Sequence, residues 1–119
     1  MIVVDNKYGS ASWSKIILQD NAATLPISWT YVVQSGNGKI KIGQTMSPDI
    51  RFRQLNNIIP LSLSPMILFD SRVISERCLH SLFQNERYKG EWFHPSNGLM
   101  SVYYNPESFL LEHIHYLTN

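Results

Sequence analysis

The fold of this chain is decided by residues 28–55, which read SWTYVVQSGNGKIKIGQTMSPDIRFRQL. The β-branched and aromatic run TYVVQ and the alternating run KIKIGQT are separated by SGNGK, a pattern that predicts a β-hairpin. A two-residue loop would place Tyr31 on the same face as Ile40. A three-residue loop with Gly38 in the left-handed conformation would instead pair Tyr31 with Gly43. The second register collects the apolar side chains on one face, so we expect the three-residue loop.

The same stretch ends in a predicted helix that begins at Pro48 with Ser47 as its N-cap. In the expected register Lys41 lies opposite Val33, on the face of the hairpin that carries Tyr31. Arg51 falls in the first turn of the helix, close to the hairpin. We therefore expect a phenol, an ammonium and a guanidinium group to share one concave face.

Length and composition indicate one globular domain. The chain has 119 residues, of which 44% are hydrophobic and 16% charged, a balance typical of folded domains rather than disordered chains. No apolar run approaches the ~20 residues that a membrane span needs, and the N-terminus has no signal-peptide pattern. Cys78 is the one cysteine, which excludes an internal disulfide and predicts a reducing, cytoplasmic environment.

Positive charge is concentrated in the middle of the chain. The net charge is only +1, but eight of the ten Lys and Arg residues lie within residues 39–89, together with four acidic residues. A basic central region suits a partner that presents phosphates, although such an excess also occurs on solvated protein faces.

The remaining segments predict an α+β domain with a small, mainly antiparallel sheet flanked by helices. A third strand is centred on residues 66–69 after Pro65. A long helix then covers residues 71–87, with Asp70 or Ser71 as its cap. Its expected core stripe is Val73 or Ile74, then Cys78, Leu82 and Phe83.

The ends of the chain are predicted less fully. A short aromatic strand follows Gly90, and two helices cover residues 96–104 and 106–117, the second beginning at Pro106. The segment SKIILQD in residues 14–20 reads either as an edge strand or as a short helix. The predicted order from the hairpin onward is ββαβαβαα.

Five short motifs occur in order along the chain: YVV at 31–33, KIG at 41–43, SPDIRFRQL at 47–55, ERCLH at 76–80 and GEWF at 90–93. Together they resemble the GIY-YIG nuclease superfamily, and more narrowly its phage and meiotically-up-regulated-gene branch. The resemblance divides the chain into an N-terminal extension of unknown role (1–28), a nuclease core (29–95) and a C-terminal helical segment packed on the core (96–119).

The resemblance implies a role for each matching residue. Tyr31 would help to activate or orient the attacking water, and Lys41 stands where many members have a second tyrosine. Arg51 would stabilise the scissile phosphate, and Glu76 would be the protein ligand of Mg²⁺ or Mn²⁺. His80 belongs to the pattern of the branch.

The expected catalytic set is thus Tyr31, Lys41, Arg51, Glu76 and His80, and the expected DNA contacts are Lys39, Lys41, Arg51 and Arg53. Two positions depart from the family pattern. Leu55 stands where several members carry a histidine or tyrosine, and no clear equivalent of a late asparagine is present.

The residue types suit phosphodiester hydrolysis, which needs a deprotonated water and neutralisation of charge on the phosphate. A carboxylate can hold a hard cation, and the planar fork of Arg51 matches phosphate oxygens. Tyr31 could act as a base only if a positive neighbour lowered its pKa from the ordinary value of ~10. We expect Lys41 to lower the pKa of Tyr31.

The sequence therefore predicts a metal-dependent endonuclease that hydrolyses DNA phosphodiester bonds in the cytoplasm of a bacterial or phage-infected cell. Two alternatives from other classes remain. One is a nuclease-like module that binds DNA without cutting it. The other is a phage-type protein that acts on a protein partner through the C-terminal helices and aromatics. For the nuclease itself, we expect sequence specificity to be weak or to be supplied by a homodimer or a protein partner.

Overall fold

The computed structural model of the chain describes residues 1–7, 12–59 and 61–113. The strands are β1 (Ile2–Asp5), β2 (Trp13–Leu18), β3 (Trp29–Gln34), β4 (Ile40–Thr45), β5 (Met66–Asp70), β6 (Arg87–Lys89) and β7 (Trp92–Phe93). The helices are α1 (Pro48–Ile58), α2 (Glu76–Leu82), α3 (Asn97–Tyr104) and α4 (Pro106–Glu112), with a short 3₁₀ helix at Gln84–Glu86. No helix among these residues has the length and apolarity to cross a bilayer.

The strands form one sheet in the order β1-β2-β5-β3-β4-β7-β6. β2 and β5 run parallel, and the other pairings are antiparallel. The expected α+β class with a small, mainly antiparallel sheet is therefore confirmed.

The hairpin of β3 and β4 has the expected register. Tyr31 pairs with Gly43 and Val33 with Lys41, and Gly38 has a φ of 88°. This left-handed conformation is one that glycine adopts without steric cost. The three-residue loop is thus confirmed, and the two faces of the hairpin separate as the hydrophobic pattern predicts.

Helices cover both faces of the central strands. On one face, α1 packs Phe52 and Leu55 against Tyr31, Val33 and neighbouring residues of β5. On the other face, α2, α3 and α4 pack against the alternate residues of the same strands, including Val32, Ile40 and Ile42. Strands buried on both faces read as continuous apolar runs, as MILFD in β5 does.

The segment SKIILQD contributes to a strand, but not to an edge strand. β2 lies between β1 and β5, and Ile17 is fully buried. The strand that forms the sheet edge is β1, whose four residues are all exposed. Because β2 pairs in parallel with a strand about 50 residues later, no local sequence signal reports its neighbour.

The helix expected over residues 71–87 is shorter than predicted. Asp70 completes β5, and its Oδ1 accepts hydrogen bonds from the backbone N–H and Nε of Arg72 at 2.9 and 3.0 Å. α2 begins only after Ser75, whose Oγ accepts from the Cys78 N–H at 3.0 Å. The expected caps, Asp70 and Ser71, are therefore wrong, because both belong to the turn that precedes α2.

The core stripe of this helix also differs from the expected one. Leu79 is its fully buried residue, while Cys78 and Leu82 are only half-buried. Ile74 and Phe83 are buried on either side of α2, as expected. The helical spacing of buried residues that was counted from Val73 and Ile74 does not apply to α2, because both residues lie in the turn before this helix.

The C-terminal part of the predicted long helix is instead a strand. Arg87–Lys89 forms β6, which pairs with β7 through a turn at Gly90, where φ is 59°. The two terminal helices are confirmed, and the second begins at Pro106 as expected. Residues 114–119, the predicted end of that helix, lie outside the described residues.

Candidate functional site

Tyr31 and Gly43 lie opposite each other on β3 and β4. A Cβ atom at position 43 would lie 2.3 Å from both Cζ and the hydroxyl oxygen of Tyr31. Tyr31 itself is only 1% exposed, so the ring has little room to move away. The glycine of the KIG motif is therefore required sterically, because a side chain at this position would overlap the tyrosine of the YVV motif.

The edge of β4 next to Gly43 is closed by a side chain. The N–H of Ile42 donates to the carbonyl of Glu91 at 3.0 Å, which continues the pairing with β7. The carbonyl of Ile42 accepts from Nε2 of His80 at 2.9 Å. His80 Nδ1 accepts from Arg87 at 2.8 Å, so the ring is held as the Nε2–H tautomer. His80 thereby fixes α2 to the sheet edge where β7 ends.

Two carboxyl groups meet at this edge. Glu76 lies one turn before His80, and its Oε1 is 3.6 Å from Nε2 of that ring. Its carboxyl group shares a hydrogen bond with the carboxyl group of Glu91. Lys41 Nζ lies 3.0 Å from Glu91 Oε1. Glu76, Glu91, Lys41 and His80 therefore form one connected cluster, which we call the carboxylate cluster.

The two glutamates differ in acidity. Burial, the hydrogen bond that protonated Glu76 donates to Glu91 and the negative charge of Glu91 raise the pKa of Glu76 to about 7, and Lys41 opposes this rise. Burial acts on Glu91 as well, but hydrogen bonds from Glu76 and Lys41 outweigh it and lower the pKa of Glu91. The pair thus favours one negative charge over two.

The carboxylate cluster has a donor set that fits a hard cation. The described residues contain no group of three or more His, Cys, Asp or Glu side chains that could hold a metal ion. Mg²⁺, however, keeps several waters and is usually bound through one or two protein carboxylates. Glu76 and Glu91 supply two such carboxylates, whose mutual repulsion a divalent cation would relieve.

Arg51 approaches the same region from α1. Its Nε is buried and has no hydrogen-bond partner in the described part of the chain. Buried guanidinium N–H groups are normally paired. The side chain lines an open groove of about 540 Å³ between the end of β4 and the start of α1, together with Gln44, Thr45 and Ser47. A guanidinium group that lines an open groove is suited to binding an anionic oxygen there.

Tyr31 lies within electrostatic range of both Arg51 and the carboxylate cluster, because the charges of Glu91, Arg51 and Glu76 all act on its pKa. Burial raises the pKa of Tyr31 above its ordinary value, with Glu91 and Glu76 adding to the rise and Arg51 opposing it. The expectation that Lys41 lowers this pKa is therefore wrong. The ring is buried and the ammonium of Lys41 is paired with Glu91.

Five of the expected site residues therefore lie together: Tyr31, Lys41, Arg51, Glu76 and His80. Of the other two expected DNA contacts, Lys39 lies just before β4, beside Tyr88. Arg53 is exposed on α1, and a spacing of two residues turns it away from the face of Arg51.

Sequence reasoning missed Glu91. The GEWF motif looks structural, because its two aromatic residues fit a core strand. A signal was present in Gly90, since a two-residue loop that contains glycine predicts a hairpin and places Glu91 in its turn. Leu55, the departure from the family pattern, is 8% exposed and packs in the cluster that contains Tyr31.

The fold and this site define a class: a small α+β domain in which a tyrosine, an arginine and two carboxyl groups lie near the end of β4 that extends past β7. Residues 28–110 match the family model of the T5orf172 domain. The chain therefore belongs to the T5orf172 domain family, which is associated with nuclease-type domains and indicates a nuclease-like or DNA-binding module. No curated protein and no solved structure matches the chain.

Proposed function

We propose that this protein is a metal-dependent endonuclease of the GIY-YIG type, which hydrolyses phosphodiester bonds in DNA with Mg²⁺ or Mn²⁺. The observation that carries the proposal is the buried, unpartnered Nε of Arg51, whose charge reaches the same tyrosine as the two carboxyl groups. A group suited to anions and a pair suited to a cation thus both act on one tyrosine, a combination that suits phosphodiester cleavage.

Each group of the site has a part that its position supports. Arg51 would bind a non-bridging phosphate oxygen through its guanidinium fork. Glu76 and Glu91 would hold the divalent cation, which when bound supplies Lewis-acid stabilisation of charge on the phosphate. Lys41 holds the carboxylate of Glu91 in place, and His80 holds the helix that carries Glu76.

Tyr31 acts as a neutral phenol in this scheme. Because its pKa is raised, the hydroxyl group keeps its proton and is suited to donating a hydrogen bond to a phosphate oxygen or accepting one from the attacking water. The reaction consumes one water: its oxygen bonds to phosphorus, one P–O ester bond breaks, and the leaving oxygen ends as a hydroxyl group. The two other expected DNA contacts, Lys39 and Arg53, would bind backbone phosphates farther from the scissile bond.

One observation favours the alternative of a module that binds DNA without cutting it. Leu55 fills a core position beside Tyr31, where several members of the superfamily carry a histidine or tyrosine. The site would then keep the phosphate contact of Arg51 and lack one polar group. Binding would be strongly salt-dependent.

The test is nicking of supercoiled plasmid in Mg²⁺, Mn²⁺ or EDTA by wild type, Glu76→Gln, Arg51→Ala and Glu112→Gln preparations purified identically. Glu112 is exposed on α4 and is the matched control for the carboxylate change. We expect metal-dependent nicking that Glu112→Gln leaves intact. Arg51→Ala should lose about 10²–10³ in rate, the typical effect of removing one positioned donor.

Equal nicking by all four preparations would identify a contaminant and contradict the proposal. Absence of nicking in every metal, combined with DNA binding that Arg51→Ala weakens, would instead support the binding module. Leu55→His would then be the variant to test for gain of cleavage. Glu91→Gln adds a further arm, because a two-carboxylate cation site predicts a higher Mg²⁺ requirement in this variant.

A further inference from the structure

A second surface lies on the same side of the sheet as Tyr31, next to the carboxylate cluster. Trp92 pairs with Lys41 in the register of β7 and β4 and therefore shares the face of Lys41. An open cavity of about 320 Å³ lies beside it, lined among others by Lys39, Tyr88, Ile59 and Trp92. We call the surface formed by Lys39, Tyr88 and Trp92 the aromatic platform.

Cations and rings alternate on this platform. Lys39 Nζ lies 5.0 Å from the ring centroid of Tyr88, and Lys41 Nζ lies 5.4 Å from that of Trp92. Among the described residues no carboxylate forms an ion pair with Lys39. Tyr88 is 58% exposed, and the edge of its ring rests against His94. The ring is thus supported from one side and open on another, which a core role does not explain.

We propose that the aromatic platform binds an unpaired nucleobase of a single-stranded DNA segment adjacent to the scissile phosphate. The inference deepens the proposed function and rests on it for the choice of DNA. Aromatic side chains interleaved with cations are the means by which proteins bind single strands, because every base has a π-face and every nucleotide a phosphate. Lys39 and the exposed Lys89 supply the complementary charge.

A paired base does not fit this surface. In a duplex the faces of each base are covered by the neighbouring base pairs, so a ring can stack only on a base that has left the helix. Two of the side chains that line the cavity, Ile59 and Leu61, are aliphatic, and stacking on an aromatic ring is open to any base. The platform should therefore select unpaired strands without strong sequence preference.

The aromatic platform is also continuous with the carboxylate cluster. Lys41 contacts both, since its ammonium group pairs with Glu91 and lies over Trp92. The turn at Gly90 fixes this arrangement, because it joins the strand that carries Tyr88 to the residues Glu91 and Trp92. A DNA strand with one base stacked on Tyr88 would thus have an adjacent backbone phosphate near Glu91 and the proposed cation.

The experiment measures DNA binding in EDTA, so that no cleavage is needed. Fluorescence anisotropy compares a labelled oligothymidine of about twelve nucleotides, within the ~4–16-nucleotide footprint of such sites, with a hairpin duplex, an abasic oligomer and an oligouridine of similar length. The variants are Tyr88→Ala, Tyr88→Phe and the control Tyr104→Ala. Tyr104 is 60% exposed and lies on α3, on the opposite face of the sheet.

We expect Tyr88→Ala to weaken oligothymidine binding at least about fivefold, the loss of one base–aromatic stack, and to change duplex and abasic binding less than twofold. Tyr88→Phe should keep the wild-type affinity, since it retains the ring. Tyr104→Ala should bind like wild type. Circular dichroism and thermal unfolding establish that each variant is folded.

Three results would overturn the inference: no binding of oligothymidine by the wild type, an equal loss for Tyr88→Ala on thymidine and abasic oligomers, or tighter binding of oligouridine than of oligothymidine. The last would assign the platform to RNA. The nicking assay tests the proposed nuclease activity independently of these binding measurements. Stacking without nicking would support the base-binding role of the platform and contradict the proposed nuclease activity. Nicking without stacking would support the nuclease activity and contradict the role of the platform.

Discussion

The contact between Tyr31 and Gly43 gives the sharpest test of how this site is built. We expect Gly43→Ala to destabilise the protein, because the new Cβ would lie 2.3 Å from Cζ and from the hydroxyl oxygen of Tyr31. Ordinary van der Waals contact would require the ring to recede by about 1 Å. Tyr31 is 1% exposed and packed against Val33, Met66 and Leu68, so neighbouring side chains would have to move too.

The expected loss is about 3 kcal/mol in the free energy of unfolding, near the upper end of typical overpacking costs. Shortening the tyrosine should abolish this cost. In a Tyr31→Leu background the ring atoms that meet the new Cβ are absent, so Gly43→Ala should be neutral or stabilising by about 0.5 kcal/mol, as alanine replaces a strand glycine. In a Tyr31→Phe background Cζ remains, and most of the cost should remain with it.

Urea unfolding of the six proteins in this pair of double-mutant cycles measures the coupling. Midpoints are compared at a common m value, because a changed m would signal a changed denatured state. The same penalty for Gly43→Ala in the wild-type and Tyr31→Leu backgrounds would refute the reasoning. So would full relief by Tyr31→Phe, since it would assign the clash to the hydroxyl group alone.

Three further predictions concern the supports of the site. His80→Ala should cost about 1–3 kcal/mol, because the buried carbonyl of Ile42 loses its donor, and urea unfolding measures this. Ser75→Ala should cost about 1 kcal/mol through loss of the N-cap of α2, whereas a cap at Ser71 would leave Ser75→Ala neutral. Hydrogen bonds and charge from Arg72 outweigh burial and lower the pKa of Asp70, so this carboxylate stabilises the fold above its unfolded-state pKa of ~3.9. That stabilisation is lost as pH falls through the lower folded-state pKa. An Asp70→Asn variant should therefore be less stable than wild type at pH 7, and the difference in the free energy of unfolding should shrink in acid. A difference that does not change with pH would contradict this.

Local signals account for what could be predicted from the sequence. The register of β3 and β4 follows from alternation around a glycine loop. The start of α1 at Pro48, with Ser47 at the N-cap position, is as expected, although the Ser47 side chain makes no capping hydrogen bond. The gathering of Tyr31, Lys41 and Arg51 follows from these two elements. All of this information lies within residues 28–55, where each residue's partners are close in the chain.

The rest depends on partners that are distant in sequence. β2 becomes an inner strand only because β5 lies beside it. α2 starts late because Asp70 is engaged by Arg72. Likewise, the high pKa of Tyr31 arises chiefly from burial, which only the packing of α1 over the ring reveals.

The closure of the β4 edge by His80 has a consequence for heritable variation. Hydrogen bonds between strands are made by the backbone, so nearly every amino-acid replacement leaves them in place. At Ile42 the carbonyl is satisfied by an imidazole instead. A single missense change in the codon for residue 80 can therefore leave this buried carbonyl without its donor beside the two glutamates.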